Sequence, residues 1–274
     1  DKIDIEVIPS STYDNLEDIH GNAILKRENI DDWKRTVPAD EIETRVFGKF
    51  FHLRGMVYKG LGVIHQRMFN YTYPDPVIAV LDPHHRQPHH VIWAYLDRMD
   101  TLFIDRELVM GGRISDLSRM ILKTEAMAGY KMRLRLIDPN FGRTPLITTG
   151  RTVIQELATP PFPVRFTEAN DDKDAGILKV RDYLHYDNAK PLGLTNSPRI
   201  FFHKDRAPAT FRSCLNYQYE EWIGKSKDNK DPKEKDKQKD THGADVIRYL
   251  CMSNPRYASL IRAAQQYELV EAPY

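Results

Sequence analysis

The sequence predicts an α/β domain built round a mixed β-sheet flanked by helices, and three observations predict it. Val77-Ile78-Ala79-Val80-Leu81 is a continuous apolar run of strand length, the pattern of a strand buried on both faces. Between residues 77 and 137 the expected elements follow in the order strand, strand, strand, helix, strand. The first and last strands of that series both end in Asp-Pro, at Asp82-Pro83 and Asp138-Pro139.

Composition narrows the function classes. The chain has 274 residues, 41% hydrophobic and 29% charged, enough to bury a core and too apolar for disorder as the main state. Forty Lys and Arg oppose thirty-nine Asp and Glu, so nucleic-acid binding would need a local patch. The apolar runs are too short to span a membrane, and no secretory signal is visible. Two cysteines, Cys214 and Cys251, form no CxxC pair, which fits a reducing compartment. A GxxxxGK[ST] phosphate loop is absent, so ATP hydrolysis by that route is not expected of this sequence.

Residues 1–75 are polar and irregular, with helices expected at 24–37 and 40–47 and glycine breaks at Gly48, Gly55, Gly60 and Gly62. Tyr73-Pro74-Asp75-Pro76 reads as a linker into a new unit. Strands are then expected at 77–81, 90–96 and 101–108, the last two joined by a tight turn at 97–100. Ile114, Leu117, Met120, Ile121, Met127 and Ala128 recur at helical spacing, and Gly129 closes that helix. Leu134-Arg135-Leu136-Ile137 is the fourth strand. This is the opening of a ribonuclease-H-like fold, in which the first and fourth strands lie side by side and their terminal aspartates become neighbours. Further on, a helix is expected at 176–186, a strand at 199–203, a helix at 214–223 and a helix at 240–252. Residues 225–240 hold seven Lys against five acidic residues and read as a solvated loop, placed to gate whatever follows it.

Three aspartates then draw attention: Asp82, Asp138 and Asp245. Carboxylates gathered in one place repel, and a divalent cation removes that conflict. Hard oxygen donors suit Mg²⁺ or Mn²⁺, and two such ions can drive phosphodiester hydrolysis. His242 lies three residues before Asp245, on one helical face, where it could shuttle a proton, orient a water or complete a metal shell.

The motifs around these residues resemble those of the nuclease domain of tailed-bacteriophage large terminases, the DNA-packaging motors. Ala79-Val80-Leu81-Asp82-Pro83 resembles the first catalytic motif and Leu136-Ile137-Asp138-Pro139-Asn140-Phe141-Gly142 the second. Residues 240–249, with His242-Gly243-Ala244-Asp245 and Arg248-Tyr249, resemble the third. Glu43-Thr44-Arg45-Val46-Phe47-Gly48 and Gly55-Met56-Val57-Tyr58 resemble the segment joining motor ATPase to nuclease. The resemblance implies a linker and ATPase edge over residues 1–75, a nuclease over 76–274, and an ATP-binding domain N-terminal to this sequence. It implies a Mg²⁺- or Mn²⁺-dependent endonuclease, using two ions, that cuts concatemeric double-stranded DNA in the host cytoplasm. Asp82 would anchor the metals, Asp138 and Asp245 complete the shells, and His242 assist. The implied partners are the terminase small subunit, the portal protein and further large-subunit copies in a ring.

The resemblance is broken after Pro83, where His84-His85-Arg86-Gln87-Pro88-His89-His90 replaces the family's small and acidic residues. Asp105 and Glu107 are substitutes for a fourth carboxylate from that loop. The four histidines lack the spacing of a zinc site and read as a polar loop over the active site, in reach of DNA. Lys131, Arg133, Arg135, Arg143 and Arg151 surround the second motif with one acidic residue among them, a candidate DNA surface. Arg133 and Arg135 equally fit the solvent face of an edge strand. Two other readings stay open: a resolvase-type nuclease of the same fold class, and a docking module whose nuclease is silent in isolation.

Overall fold

The apolar run at 77–81 is buried on both faces of a sheet, as its composition demands. A computed structural model describes residues 11–17, 21–36, 56–219 and 241–262. The chain divides into two compact units, Asp1–Met56 and Val57–Tyr274. Within the first, α1 (Arg27–Thr36) lies where a helix is expected, and the Tyr13 hydroxyl hydrogen bonds Asp31. The helix expected at 40–47 and the lysine-rich loop at 225–240 lie outside the described residues.

The second unit is organised by a seven-stranded sheet. Its strands are β1 (Gln66–Arg67), β2 (Pro76–Asp82), β3 (His89–Leu96), β4 (Leu102–Met110), β5 (Lys131–Ile137), β6 (Thr167–Glu168) and β7 (Ile200–His203), in the order β1-β7-β4-β3-β2-β5-β6. The β2–β3 and β3–β4 pairs are antiparallel and the others parallel. This is the expected ribonuclease-H-like opening, with β2 and β5 adjacent.

Alternation explains why β2 has no polar face. Ile78 and Val80 point into one core and Val77, Ala79 and Leu81 into another, on opposite faces of the sheet. The second core is covered by α2 (Ile114–Ala128) and α4 (Val153–Leu157). Gly129 ends α2 in the left-handed conformation at φ 64°, a position that disfavours any side chain. The first core is covered by α5 (Lys173–Leu184), α6 (Pro208–Asn216) and α7 (His242–Met252). A single-turn helix, α3 (Pro139–Gly142), follows β5.

Two expectations change. The second unit begins at Val57, ahead of the Pro76 boundary expected from the prolines, because Tyr58 and Leu61 are buried in the first core and β1 pairs with β7. The helix expected to start at 214 starts earlier, at Pro208, and ends at Asn216, and residues 220–223 of that expectation lie outside the described residues. Proline suits the first helical position, and the Glu107 carboxylate accepts from the Ala209 and Thr210 amides that this turn leaves unpaired.

Candidate active site

The parallel pairing of β2 with β5 brings two aspartates to one end of the sheet. Asp82 is the last residue of β2, and Asp138 follows β5, its amide donating to the Leu81 carbonyl at 3.0 Å. Asp138 also caps α3. Its carboxylate accepts from the Asn140 and Phe141 amides at 3.1 and 3.2 Å, so the Asp-Pro-Asn-Phe sequence builds its own turn. Both aspartates are buried.

Helix α7 brings the other two residues. Gly243 lets it approach α6, since a Cβ there would stand 2.7 Å from the Ser213 Cβ and 2.9 Å from the Thr210 Cα. The Ser213 hydroxyl accepts from the Ala244 amide at 3.2 Å, and the Tyr58 hydroxyl donates to the Ala244 carbonyl at 2.9 Å. So placed, His242 Nδ1 lies 2.7 Å from Asp82 Oδ2, and its Nε2 contacts the Gln87 side-chain oxygen. Asp245 accepts from Arg248 at 3.1 Å, and Arg248 donates onward to the Asp171 carbonyl. The Tyr249 hydroxyl donates to Asp138 Oδ1 at 2.9 Å, tying α7 back to the end of β5.

Asp82 carries the electrostatic cost of this assembly. Burial pushes its carboxyl up to about 6; the hydrogen bond and charge of His242 pull it down, and Asp245 and Asp138 raise it further. Such a gathering of carboxylates, two of them buried, is chemistry that a divalent cation relieves, and an all-oxygen donor set suits a hard ion. Among the described residues, no three His, Cys, Asp or Glu side chains are close enough to hold an ion as they stand. Asp82 is engaged by His242, Asp138 by Tyr249 and its own turn, and Asp245 by Arg248. The donors fit the ion in kind, and release of the His242 and Arg248 pairs would free two of them.

The sequence-predicted site residues divide into three sets. Asp82, Asp138, Asp245 and His242 come to one end of the sheet. Arg143 and Arg151 follow α3 at that same end and are exposed, Arg143 paired with Glu168 and Arg151 donating to Thr159 at 3.2 Å. Lys131 and Arg133 do not join them. Lys131 pairs with Pro76 at the start of β2, and six strand residues put it about 20 Å from Asp138. Arg133 is the extra residue of a bulge between the Val77 and Ile78 pairings. Arg135 is not a solvent-face residue, because it turns under α2 and its Nε donates to the buried Glu125 at 3.0 Å, beside the Trp93 indole.

Asp105 and Glu107 supply no fourth carboxylate. Asp105 is paired with Arg206 and the Tyr130 hydroxyl, and Glu107 caps α6. The histidine loop does fold over the site. The His84 ring packs 4.8 Å from Phe141 and 4.9 Å from His242, centroid to centroid. His89 and His90 turn elsewhere, their Nε2 atoms lying 3.2 Å from the Gly112 carbonyl and 2.8 Å from the Thr210 hydroxyl. Sequence reasoning did not name Ser213, and it held Gly243, Tyr249 and His90 only as members of the third motif and the histidine loop, without their present contacts. Only Gly243, a glycine inside a helical pattern, carried a local signal.

Comparison with solved structures finds this fold elsewhere. The large terminase of the thermophilic bacteriophage D6E matches over 86% of this chain and 54% of its own, at 16% identity and TM-score 0.53. Its complex with ADP matches over 83% and 52%, at 15% identity and TM-score 0.54. The large terminase nuclease domain of P22 matches over 75% of this chain and 97% of its own, at 14% identity and TM-score 0.52. The chain thus spans about half the length of the D6E protein, and at these identities the likeness is one of fold. No protein-family model and no curated protein matches the sequence.

Proposed function

We propose that this chain is the nuclease domain of a phage large terminase and hydrolyses phosphodiester bonds in concatemeric double-stranded viral DNA. The observation that carries the reading is the convergence of Asp82, Asp138 and Asp245 at one end of a sheet whose fold is that of the P22 nuclease domain. Asp82, Asp138 and Asp245 would hold Mg²⁺ or Mn²⁺, two ions in the full site. When bound, the ions supply charge for the attacking water and the leaving oxygen.

The chain's own residues do the rest. Asp138 is held rigid by its turn and Tyr249, so it presents a fixed oxygen. Arg248 holds Asp245 until an ion takes its place. His242, released from Asp82, would stand at the site as the group able to give or take a proton. Arg143 and Arg151 would take DNA phosphates on the exposed rim. No described helix is long and apolar enough to cross a membrane, and the reading places the work in the infected cell's cytoplasm with portal, small subunit and further motor copies as partners. ATP would belong to a domain outside this sequence.

The test is cleavage of supercoiled plasmid by the full chain with Mn²⁺, Mg²⁺, Zn²⁺ or EDTA. Cutting with Mn²⁺ or Mg²⁺, reduced to background by EDTA and by Asp82→Ala or Asp245→Ala in folded protein, is the expected result. Cutting that survives both substitutions would overturn the site. A folded chain that cuts under no metal would favour the docking module, the reading that the present pairing of all three carboxylates supports.

A further inference from the structure

The loops that meet β3 and β4 at the aspartate end are tied together by a buried histidine that the scheme above does not use. His89 pairs with Met110 across the two strands, so segments 84–88 and 111–113 run from adjacent strand ends. His89 is only 4% exposed. Its Nδ1 accepts the His84 amide at 3.0 Å, and its Nε2 lies 3.2 Å from the Gly112 carbonyl. An amide donates and a carbonyl accepts, so the ring is neutral with its proton on Nε2, and one side chain holds both loops.

Each loop carries an exposed arginine. Arg86 stands between His84, whose ring centroid is 4.9 Å from that of His242, and Gln87, whose side chain contacts His242. The Arg86 and Gln87 amides donate to His84 Nδ1 at 3.3 and 3.2 Å, which sets the turn. Arg113 follows Gly112, and its side chain is 84% exposed. It meets Asp116 at 3.2 Å, a surface contact shared with Arg119 and weak beside a phosphate.

Sheet order sets where these arginines stand. Arg143 pairs with Glu168 in β6, two strands from β2 on one side, and Arg113 follows β4, two strands from β2 on the other. At about 4.8 Å per strand the two flanks lie roughly 20 Å apart, with Asp82 between them. A duplex carries a phosphate about every 3.4 Å along each strand, so that span covers about six.

We propose that Arg86 and Arg113 form a second phosphate-binding rim, opposite Arg143, so that duplex DNA is gripped on both sides of the bond above the aspartates. His89 is the positioning residue that makes the two arginines one unit. The inference rests on the DNA-cleaving reading above.

Fluorescence anisotropy of a short labelled duplex with the full chain in EDTA tests it, because affinity is read without cutting. Arg86→Ala and Arg113→Ala should each weaken binding about fivefold and lower the salt slope by about one. Arg98→Ala, in the turn at the other end of β3 and β4, should change neither. His89→Ala should also weaken binding, and in that background the two arginine substitutions should cost less than in the wild type. The arginines are exposed, so their variants decide the rim even if His89→Ala does not fold. Binding that Arg143→Ala weakens but Arg86→Ala and Arg113→Ala leave unchanged would overturn the rim while the DNA-cleaving reading stands. Full additivity in the His89→Ala background would overturn the positioning role. A folded chain with no affinity for the duplex would overturn the rim and the DNA reading together.

Discussion

Asp82 concentrates the trade between stability and function in a single side chain. Its folded carboxyl is raised from 3.8 to about 6, so the folded state holds the proton more tightly than the unfolded chain does. The sign follows: this group's contribution favours folding below about pH 4 and is lost as pH rises through about 6. Asp82→Asn should therefore stabilise the metal-free protein at pH 8, by roughly 2–3 kcal/mol for two pKa units, and give little gain at pH 4. Thermal unfolding of both proteins across that range checks it. A bound cation works in the opposite direction, so added Mn²⁺ should raise the melting temperature of the wild type and leave Asp82→Asn nearly unmoved. Part of this gathering of carboxylates was legible in the sequence: two Asp-Pro steps after apolar strands pointed to Asp82 and Asp138 as neighbours, whereas Asp245 and His242 drew weight only from the resemblance of residues 240–249 to the third motif. Tyr249 and His90 were not legible, because nothing local in a strand or helix says which distant hydroxyl or carboxylate its polar tip will meet.

At the scale of elements, the site depends on how closely α7 lies against α6. Gly243→Ala would drive a methyl into the Thr210 backbone and the Ser213 side chain, and backbone cannot step aside cheaply. A loss of about 1–3 kcal/mol is expected by denaturant titration, with cleavage falling further because His242 and Asp245 move with the helix. On the other face, Glu125 accepts from both Arg135 and the Trp93 indole. Glu125→Ala strands a largely buried guanidinium and should cost roughly 2–3 kcal/mol, with metal binding at the aspartates unchanged in the folded fraction. This pair also shows where periodicity misleads. Alternating Arg and Leu in β5 fit an exposed edge, yet a bulge at Arg133 and a helix overhead leave Arg135 half-buried and paired with Glu125. The early start of α6 was hidden for the same reason, since its N-terminal amides are satisfied by Glu107 from a strand far away in sequence.

The whole second unit has two ends with different work. The aspartates, His242, Arg143 and Arg151 occupy the end where β2 and β5 finish, and Lys131 and Arg133 lie toward the other. DNA binding by the full chain should weaken in Arg143→Ala, with the salt slope falling by about one, while Lys131→Ala leaves both unchanged. Fold class and the adjacency of β2 and β5 were legible because β2 and β3 are long and apolar and β2 and β5 each end in Asp-Pro. The start of the unit at Val57 was not, because Tyr58 and Leu61 are single apolar residues among glycines whose burial depends on partners far along the chain. The central claim is that Asp82, Asp138 and Asp245 close on one cation-binding centre. Anomalous diffraction from a Mn²⁺-soaked crystal tests it most directly. A Mn²⁺ peak among the three carboxylates, with His242 released from Asp82, is the predicted result. Crystals that bind Mn²⁺ elsewhere, with the His242–Asp82 and Arg248–Asp245 pairs intact, would contradict the account.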